Sequence, residues 1–380
     1  MSRSHLLSPL AVVALTLFLA LGAGPAATPT ASAAPAVQVT TVVTGLSNPW
    51  DLTWVEPDLL LYDLKAGQVW SKRGAAAPRQ VAISGFPAIF NVGESGLLGI
   101  VADPASATNR RFYTCQAVQN ASGGALDIRV LRWRMTSDTA ATSDGAPVVT
   151  GVPLVSGRHG GCRLRFGTDG YLYVGTGDAA VGTNPQNLSS LGGKVLRVRA
   201  DGTPPSTNPF YKKRGNARYV WTYGHRNPQG LAYRASVNQM WSAEHGPSRD
   251  DEVNRIVRGA NYGWSPTPGY NESRSMTDLT RFPKAKKARW KSGSPTVATS
   301  GATFLVGTQW GTWNGYLAVA LLKGEGILLF RVSGTETLTK VTEIATSYGR
   351  VRTVQQGPDG ALYFTTSNGG GKDGLYRLTA

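Results

Sequence analysis

The sequence predicts an all-β fold, a six-bladed β-propeller with four-stranded antiparallel blades, and three observations predict it. The chain is rich in turn and aromatic residues, with 46 Gly, 22 Pro, 14 Tyr and 10 Trp in 380 residues, whereas long runs of helical period are hard to find. The stretches "GTDGYLYVGTGD" (167–178) and "GPDGALYFTTSN" (357–368) share one grammar, a polar Asp-Gly turn followed by alternating apolar residues. Weaker copies fill the interval, and six units at a spacing of about 60 residues favour radial repetition, which buries both faces of every small sheet. A large β-sandwich is the competing architecture.

Taken in order, the chain opens with Arg3 and His5 before an apolar run from Leu6 to Leu21, and then Ala31-Ser32-Ala33-Ala34. That pattern is a secretory leader with an A-x-A-like cleavage site, so residues 1–33 are expected to be a signal peptide and 34–380 a single exported propeller domain. No later stretch approaches the roughly 20 apolar residues of a spanning helix, and no transmembrane segment is expected. The units follow at 48–70, 96–117, 167–178, 227–246, 311–332 and 357–368, with third strands such as "KVLRVRA" (194–200) and "GLYRLTA" (374–380). The stretch 270–300 reads as an insertion between blades.

A formal net charge of +16 attracts polyanions. The cations read as scattered over strands and loops, and the one dense run, "RFPKAKKARWK" (281–291), reads as a solvated loop, so nucleic acid is not an expected partner.

Four clusters could carry chemistry. His159 is followed by two glycines, and imidazole is the usual base near neutral pH, although a lone histidine is by default structural. Arg226 and Asn227 precede a turn-fixing proline and could clamp an anionic oxygen or simply form the turn. Glu244, Asp250, Asp251 and Glu252 supply hard oxygens of the kind Ca²⁺ takes, without EF-hand spacing. Lys323, Arg350 and Arg352 are cationic; the two arginines alternate at strand period and so share a face, which suits an anion between them or an exposed strand. Cys162 has too few companion ligands for a metal site, and pairing with Cys115 is the favoured reading; it closes a loop worth roughly 4 kcal/mol in the chain-entropy model.

Together, "GESGLLGI" (93–100), "GHRNPQGLAY" (224–233), "EHGPSRDDEVNRIVRGANYGW" (244–264) and "GRVRTVQQGPDGALY" (349–363) resemble the soluble PQQ-dependent glucose/sorbosone dehydrogenase (aldose sugar dehydrogenase) family over about Leu46 to Arg377. The resemblance implies an enzyme that oxidises the anomeric hydroxyl of aldoses to lactones by hydride transfer to pyrroloquinoline quinone (PQQ), with electrons passed on to an external acceptor. It implies His159 as base, Arg226 as a second catalytic residue, and Glu94, Arg226, Asn227, Lys323, Arg350 and Arg352 around PQQ. The carbonyls of Gly246 and Pro247 match ligands of a calcium beside PQQ, and Glu252, Tyr262, Tyr270 and Glu272 those of a structural calcium. Departures stand at Arg158, where glucose-oxidising members carry an acid that could hold the imidazole, at Glu94 and His245, which replace glutamines, and at Cys162, which replaces a glycine. The alternative is a non-catalytic propeller that binds carbohydrate or a protein partner.

Overall fold

Turn chemistry cuts this chain into short strands, and the two clearest turns are built alike. Gly170 and Gly360 take positive φ (76° and 77°), open to glycine without strain, and close turns whose aspartates accept from the backbone N–H two residues on, Asp169 from Tyr171 and Asp359 from Ala361. Each aspartate then receives a tyrosine hydroxyl from the next strand and an arginine from the strand after it: Tyr173 and Arg197 on Asp169, Tyr363 and Arg377 on Asp359. Tyr173 lies directly opposite Arg197, and Tyr363 opposite Arg377. The repeated sequence is therefore a repeated bond pattern.

A computed structural model describes Met1 and residues 35–380; the expected leader lies outside the described residues. The strands form six sheets. Blade 1 holds Pro49–Glu56, Leu59–Leu64, Gln68–Arg73 and Arg79–Gln80; blade 2 is built on Leu97–Ala102, Arg111–Gln119, Ala125–Ser137 and Ala140–Ser143, with two short strands added. Blade 3 holds Gly161–Phe166, Leu172–Thr176, Lys194–Val198 and Val220–Tyr223, and blade 4 holds Pro228–Arg234, Gln239–Glu244, Glu252–Ile256 and Trp290–Lys291. Blade 5 follows with Thr299–Phe304, Leu317–Leu321, Ile327–Ser333 and Thr337–Ile344. Blade 6 takes Val351–Gln356, Leu362–Thr366 and Asp373–Thr379 from the end of the chain and its fourth strand, Gln38–Leu46, from the beginning.

The first strand of each blade packs against the first strand of the next, and that of blade 6 returns to that of blade 1, which closes the ring. Among the described residues, apolar side chains gather into six buried clusters, one at each seam between blades. Radial repetition thus gives every sheet two buried faces. No described helix is long and apolar enough to cross a membrane.

Two expectations change. Residues 257–289 sit between the third and fourth strands of blade 4, because Trp290 and Lys291 pair with Val253 and Glu252; the insertion belongs to that blade and does not separate two blades. Arg350 precedes its strand, and Arg352 is the extra residue of a bulge between Val351 and Thr353, so strict alternation does not place the two arginines. Cys115 and Cys162 form a disulfide with Cα atoms 5.5 Å apart, joining the second strand of blade 2 to the first of blade 3.

Candidate active site

Each blade's first strand carries a register shift near its start, between Pro49 and Leu52, Leu97 and Gly99, Gly161 and Arg163, Pro228 and Gly230, Thr299 and Ala302, and Val351 and Thr353. A bulge turns the strand and re-aims side chains. The loops leading into these bulges bring His159, Arg226–Asn227 and Arg350–Arg352 to one end of the ring.

His159 is 2% exposed and sits at positive φ (54°), a conformation that few non-glycine residues adopt. Its backbone is held in place: the N–H donates to Glu94 Oε2 at 2.8 Å, and its carbonyl passes so close to Gly177 that a Cβ there would clash with it. The ring is held by a residue the sequence reading did not assign. His159 Nδ1 lies 2.8 Å from Asp178 Oδ1, and the fully buried carboxylate also accepts Trp264 Nε1–H at 2.8 Å, the Tyr270 hydroxyl at 2.7 Å and Ala180 N–H at 2.8 Å. Burial and the neighbouring Asp178 push the Tyr270 phenol far above its ordinary range, so it stays protonated and donates. An acceptor-only carboxylate at Nδ1 fixes the proton there and leaves Nε2 as the basic nitrogen.

With Arg158 standing before the histidine, the carboxylate that holds the imidazole comes from beyond the end of the neighbouring strand. Arg158 instead pairs with Glu272 at 2.9 Å and has a half-exposed side chain, so it does not replace the group that holds the imidazole.

Arg226 is 5% exposed; Nη2 pairs with Glu272 at 2.7 Å and Nη1 donates to the His245 carbonyl at 3.2 Å, while its backbone N–H donates to Glu244. Asn227, fully buried, accepts Gly161 N–H and donates to Glu94, tying the His159 loop to blade 4. Arg352 lies over the Trp50 ring at 3.8 Å, and its pKa is brought down to about 9 by burial, with Arg163 and Arg350 adding like charge. Arg350 donates to the carbonyls of Ser367 and Leu322. Lys323, next to Leu322, is exposed, and among the described residues its side chain makes no hydrogen bond or ion pair. His245 is pushed down to about 3 by burial, with Arg352, Arg226 and His159 reinforcing the effect, so it is neutral at ordinary pH.

Buried polar atoms without partners show what the site lacks. Nε of Arg226, Nε of Arg352 and Nε2 of His245 have none. Unpartnered buried donors on two guanidiniums fit an anionic, oxygen-rich ligand, and a PQQ-like polycarboxylate is of that class. Calcium has less to hold it. Among the described residues no group of three or more His, Cys, Asp or Glu side chains is placed to bind a metal. Asp251 spends its carboxylate on the N–H groups of Gly246, Val297 and Ala298. No described donor reaches the carbonyl of Gly246 or Pro247, so those two oxygens are free for a cation.

The other four expected metal residues divide. Tyr270 and Glu272 join the His159 and Arg226 cluster. Glu252 accepts Thr277 and Asn254 beside Lys291, its pKa raised to about 7 by burial and by Glu244, whereas the Tyr262 hydroxyl donates to the Arg255 carbonyl and its ring stacks on His225. His225 is itself bonded to Glu244 at 2.9 Å in a buried pair that the sequence reading missed.

The family model for glucose/sorbosone dehydrogenases matches residues 46–377. The chain is 34% identical over 354 residues to the aldose sugar dehydrogenase YliI of Escherichia coli (strain K12), covering 90% of this chain and 93% of that protein. It superposes on the apo form of the soluble E. coli aldose sugar dehydrogenase with a TM-score of 0.80 at 29% identity, covering 90% of this chain and 99% of the other. On the PQQ-bound aldose sugar dehydrogenase of Streptomyces coelicolor the TM-score is 0.73 at 29% identity, covering 91% and 99%.

Proposed function

Because the chain belongs to the glucose/sorbosone dehydrogenase family, we propose that it is a secreted, PQQ- and calcium-dependent enzyme that oxidises the anomeric hydroxyl of aldoses to lactones and delivers the electrons to an external acceptor. The observation that carries the reading is the state of His159: Nδ1 is held by Asp178 at 2.8 Å, with the Tyr270 hydroxyl 3.0 Å away, and Nε2 has no described hydrogen-bond partner.

PQQ, when bound, supplies the two-electron acceptor. This chain's residues do the rest. His159 Nε2 takes the proton of the anomeric hydroxyl, and Asp178 stabilises the imidazolium that results. Tyr270 and Trp264 hold the second oxygen of Asp178, so the carboxylate does not turn away from the ring. Arg226 and Arg352 present donors to carboxylate or quinone oxygens. Calcium enters the proposal only through the free carbonyls of Gly246 and Pro247, and no step is assigned to it. Export rests on the leader pattern at the N-terminus, and the Cys115–Cys162 bridge suits an oxidising compartment.

The test is to supply the purified protein with PQQ and Ca²⁺ and follow reduction of an artificial dye over a panel of aldoses. Turnover with at least one sugar is expected, and its disappearance in His159→Ala with PQQ binding retained. Tight PQQ binding without turnover on any sugar would leave the non-catalytic propeller as the better reading.

A further inference from the structure

The ends of the second strands mark one level of the ring, and blade 1 holds a charge there that the proposed mechanism does not use. In blades 3, 4, 5 and 6 the residues Thr176, Glu244, Leu321 and Thr366 lie opposite the residue that precedes the first-strand bulge. Within two residues beyond them come Asp178, His245, Lys323 and Ser367, and the Ser367 carbonyl accepts Arg350 Nε–H. In blade 1 the corresponding residue is Leu64, opposite Pro49, and Lys65 follows it. By register, Lys65 stands in blade 1 where His245 stands in blade 4.

Hydrogen bonds on both sides fasten Lys65 into the arc between Arg350 and His159. Its N–H donates to the Asn48 carbonyl at 3.0 Å, and Asn48 Oδ1 accepts the hydroxyl of Ser367, the residue that holds Arg350. On the other side its carbonyl accepts Leu97 N–H at 2.9 Å, and its stem crosses Gly96 so closely that a Cβ there would clash. Two residues before Gly96 is Glu94, which holds His159 N–H. Trp50, next to Pro49, carries Arg352 on its ring. The half-buried ammonium makes one described hydrogen bond, Nζ to Asn91 Oδ1 at 2.7 Å, which leaves two N–H groups without a described partner. Burial and the like charge of Arg352 hold its pKa below the ordinary range, whereas Glu94 opposes them.

Three cations therefore share this arc without a carboxylate of their own. The described side-chain partners of Lys65, Arg350 and Arg352 are an amide, two carbonyls and an aromatic ring. Glu94 accepts from His159 and Asn227, and Asp373 from Asn48, Thr366 and Gly369.

We propose that Lys65 completes a carboxylate-binding subsite with Arg350 and Arg352 on the blade 1 side of the site. The inference rests on the dehydrogenase reading above, which brings two sources of that chemistry: a carboxylate of PQQ, or that of an acidic sugar. Lys65 supplies a point charge and the arginines directed donors. The competing role for Lys65 is to balance Glu94, which stands where the resembled family carries glutamine.

The experiment uses Lys65→Met, which keeps a stem over Gly96 and removes the charge, and Lys65→Arg, which keeps the charge. PQQ affinity is read from tryptophan quenching in Ca²⁺ buffer, and kcat/KM is compared for glucuronate and glucose. If the carboxylate is the cofactor's, Lys65→Met weakens PQQ binding about tenfold or more and leaves the ratio of the two sugars unchanged. If it is the substrate's, PQQ affinity holds and the glucuronate-to-glucose ratio falls about tenfold or more. Where wild type does not oxidise glucuronate, the cofactor measurement alone decides. Lys65→Arg should restore most of whichever is lost, and the loss should persist in a Glu94→Gln background. A Lys65→Met protein unchanged in both readouts overturns the inference. So does a loss that disappears once Glu94 is replaced, because Lys65 then only balances that acid. Wild-type protein that binds no PQQ overturns the cofactor reading and this inference together, whereas a failure confined to the variants leaves the cofactor reading standing.

Discussion

A histidine becomes a base when its other ring nitrogen is spoken for, and here the partner is Asp178. Nineteen residues separate the two in sequence, a distance no short motif spans. A propeller hairpin brings them together, because the start of Gly161–Phe166 lies against the end of Leu172–Thr176, with Gly161 opposite Thr176. Asp178→Asn can offer Nδ1 either an oxygen or an N–H, so the fixed tautomer is lost; kcat should fall about 100-fold or more, with PQQ affinity retained, as steady-state kinetics and a binding titration would show. His245 makes a different prediction. Its pKa is about 3 in the fold against about 6.5 unfolded, so between these values the unfolded chain binds a proton that the native state refuses. The associated stability is complete above about pH 6.5 and is lost as pH falls toward 3. His245→Gln should lose less stability than wild type between pH 6.5 and 4 in parallel denaturant melts.

Among elements, the first strand of blade 3 bears most of the site's geometry. Cys162 is the extra residue of its bulge and sits at φ 74°, where the resembled family carries glycine. An αL conformation costs a non-glycine residue about 1–2 kcal/mol, and the cross-link to Cys115 offsets that. Removing the bridge as Cys115→Ala/Cys162→Ala should destabilise by about 2–4 kcal/mol, whereas Cys115→Ala/Cys162→Gly, which relieves the backbone, should recover about 1 kcal/mol of it; urea midpoints would rank the three proteins. The bridge was legible in the sequence, since two cysteines leave one pairing. The Asp-Gly turns were legible for the same local reason: each fixes its own hairpin. Bulges are not local signals, because they depend on which partner residue lies across the sheet. That is why Arg350 and Arg352 read as a regular alternation although Arg352 is the extra residue of a bulge.

At the scale of the molecule, everything depends on closing the ring, and one carboxylate stands at the closure. Strand Gln38–Leu46 pairs with Asp373–Thr379, from Gln38 opposite Thr379 to Leu46 opposite Asp373, so the beginning of the domain is fastened by its end. Asp373, 1% exposed, accepts Asn48 N–H at 3.0 Å from the segment that enters blade 1, and Gly369 N–H, Asn368 N–H and the Thr366 hydroxyl from blade 6 and its last loop. Asp373→Ala would strand these donors at a buried seam, and each stranded donor costs about 1–3 kcal/mol, so a total loss of about 3 kcal/mol or more is expected. Every blade buries its apolar faces on two neighbours, and an open seam exposes the cores of blades 1 and 6 together. The loss should therefore appear as a shift of one cooperative denaturant transition with unchanged slope. An early separate transition, with Trp54 and Trp70 of blade 1 becoming exposed before the rest, would show instead that the blades unfold singly and that closure holds only its own seam.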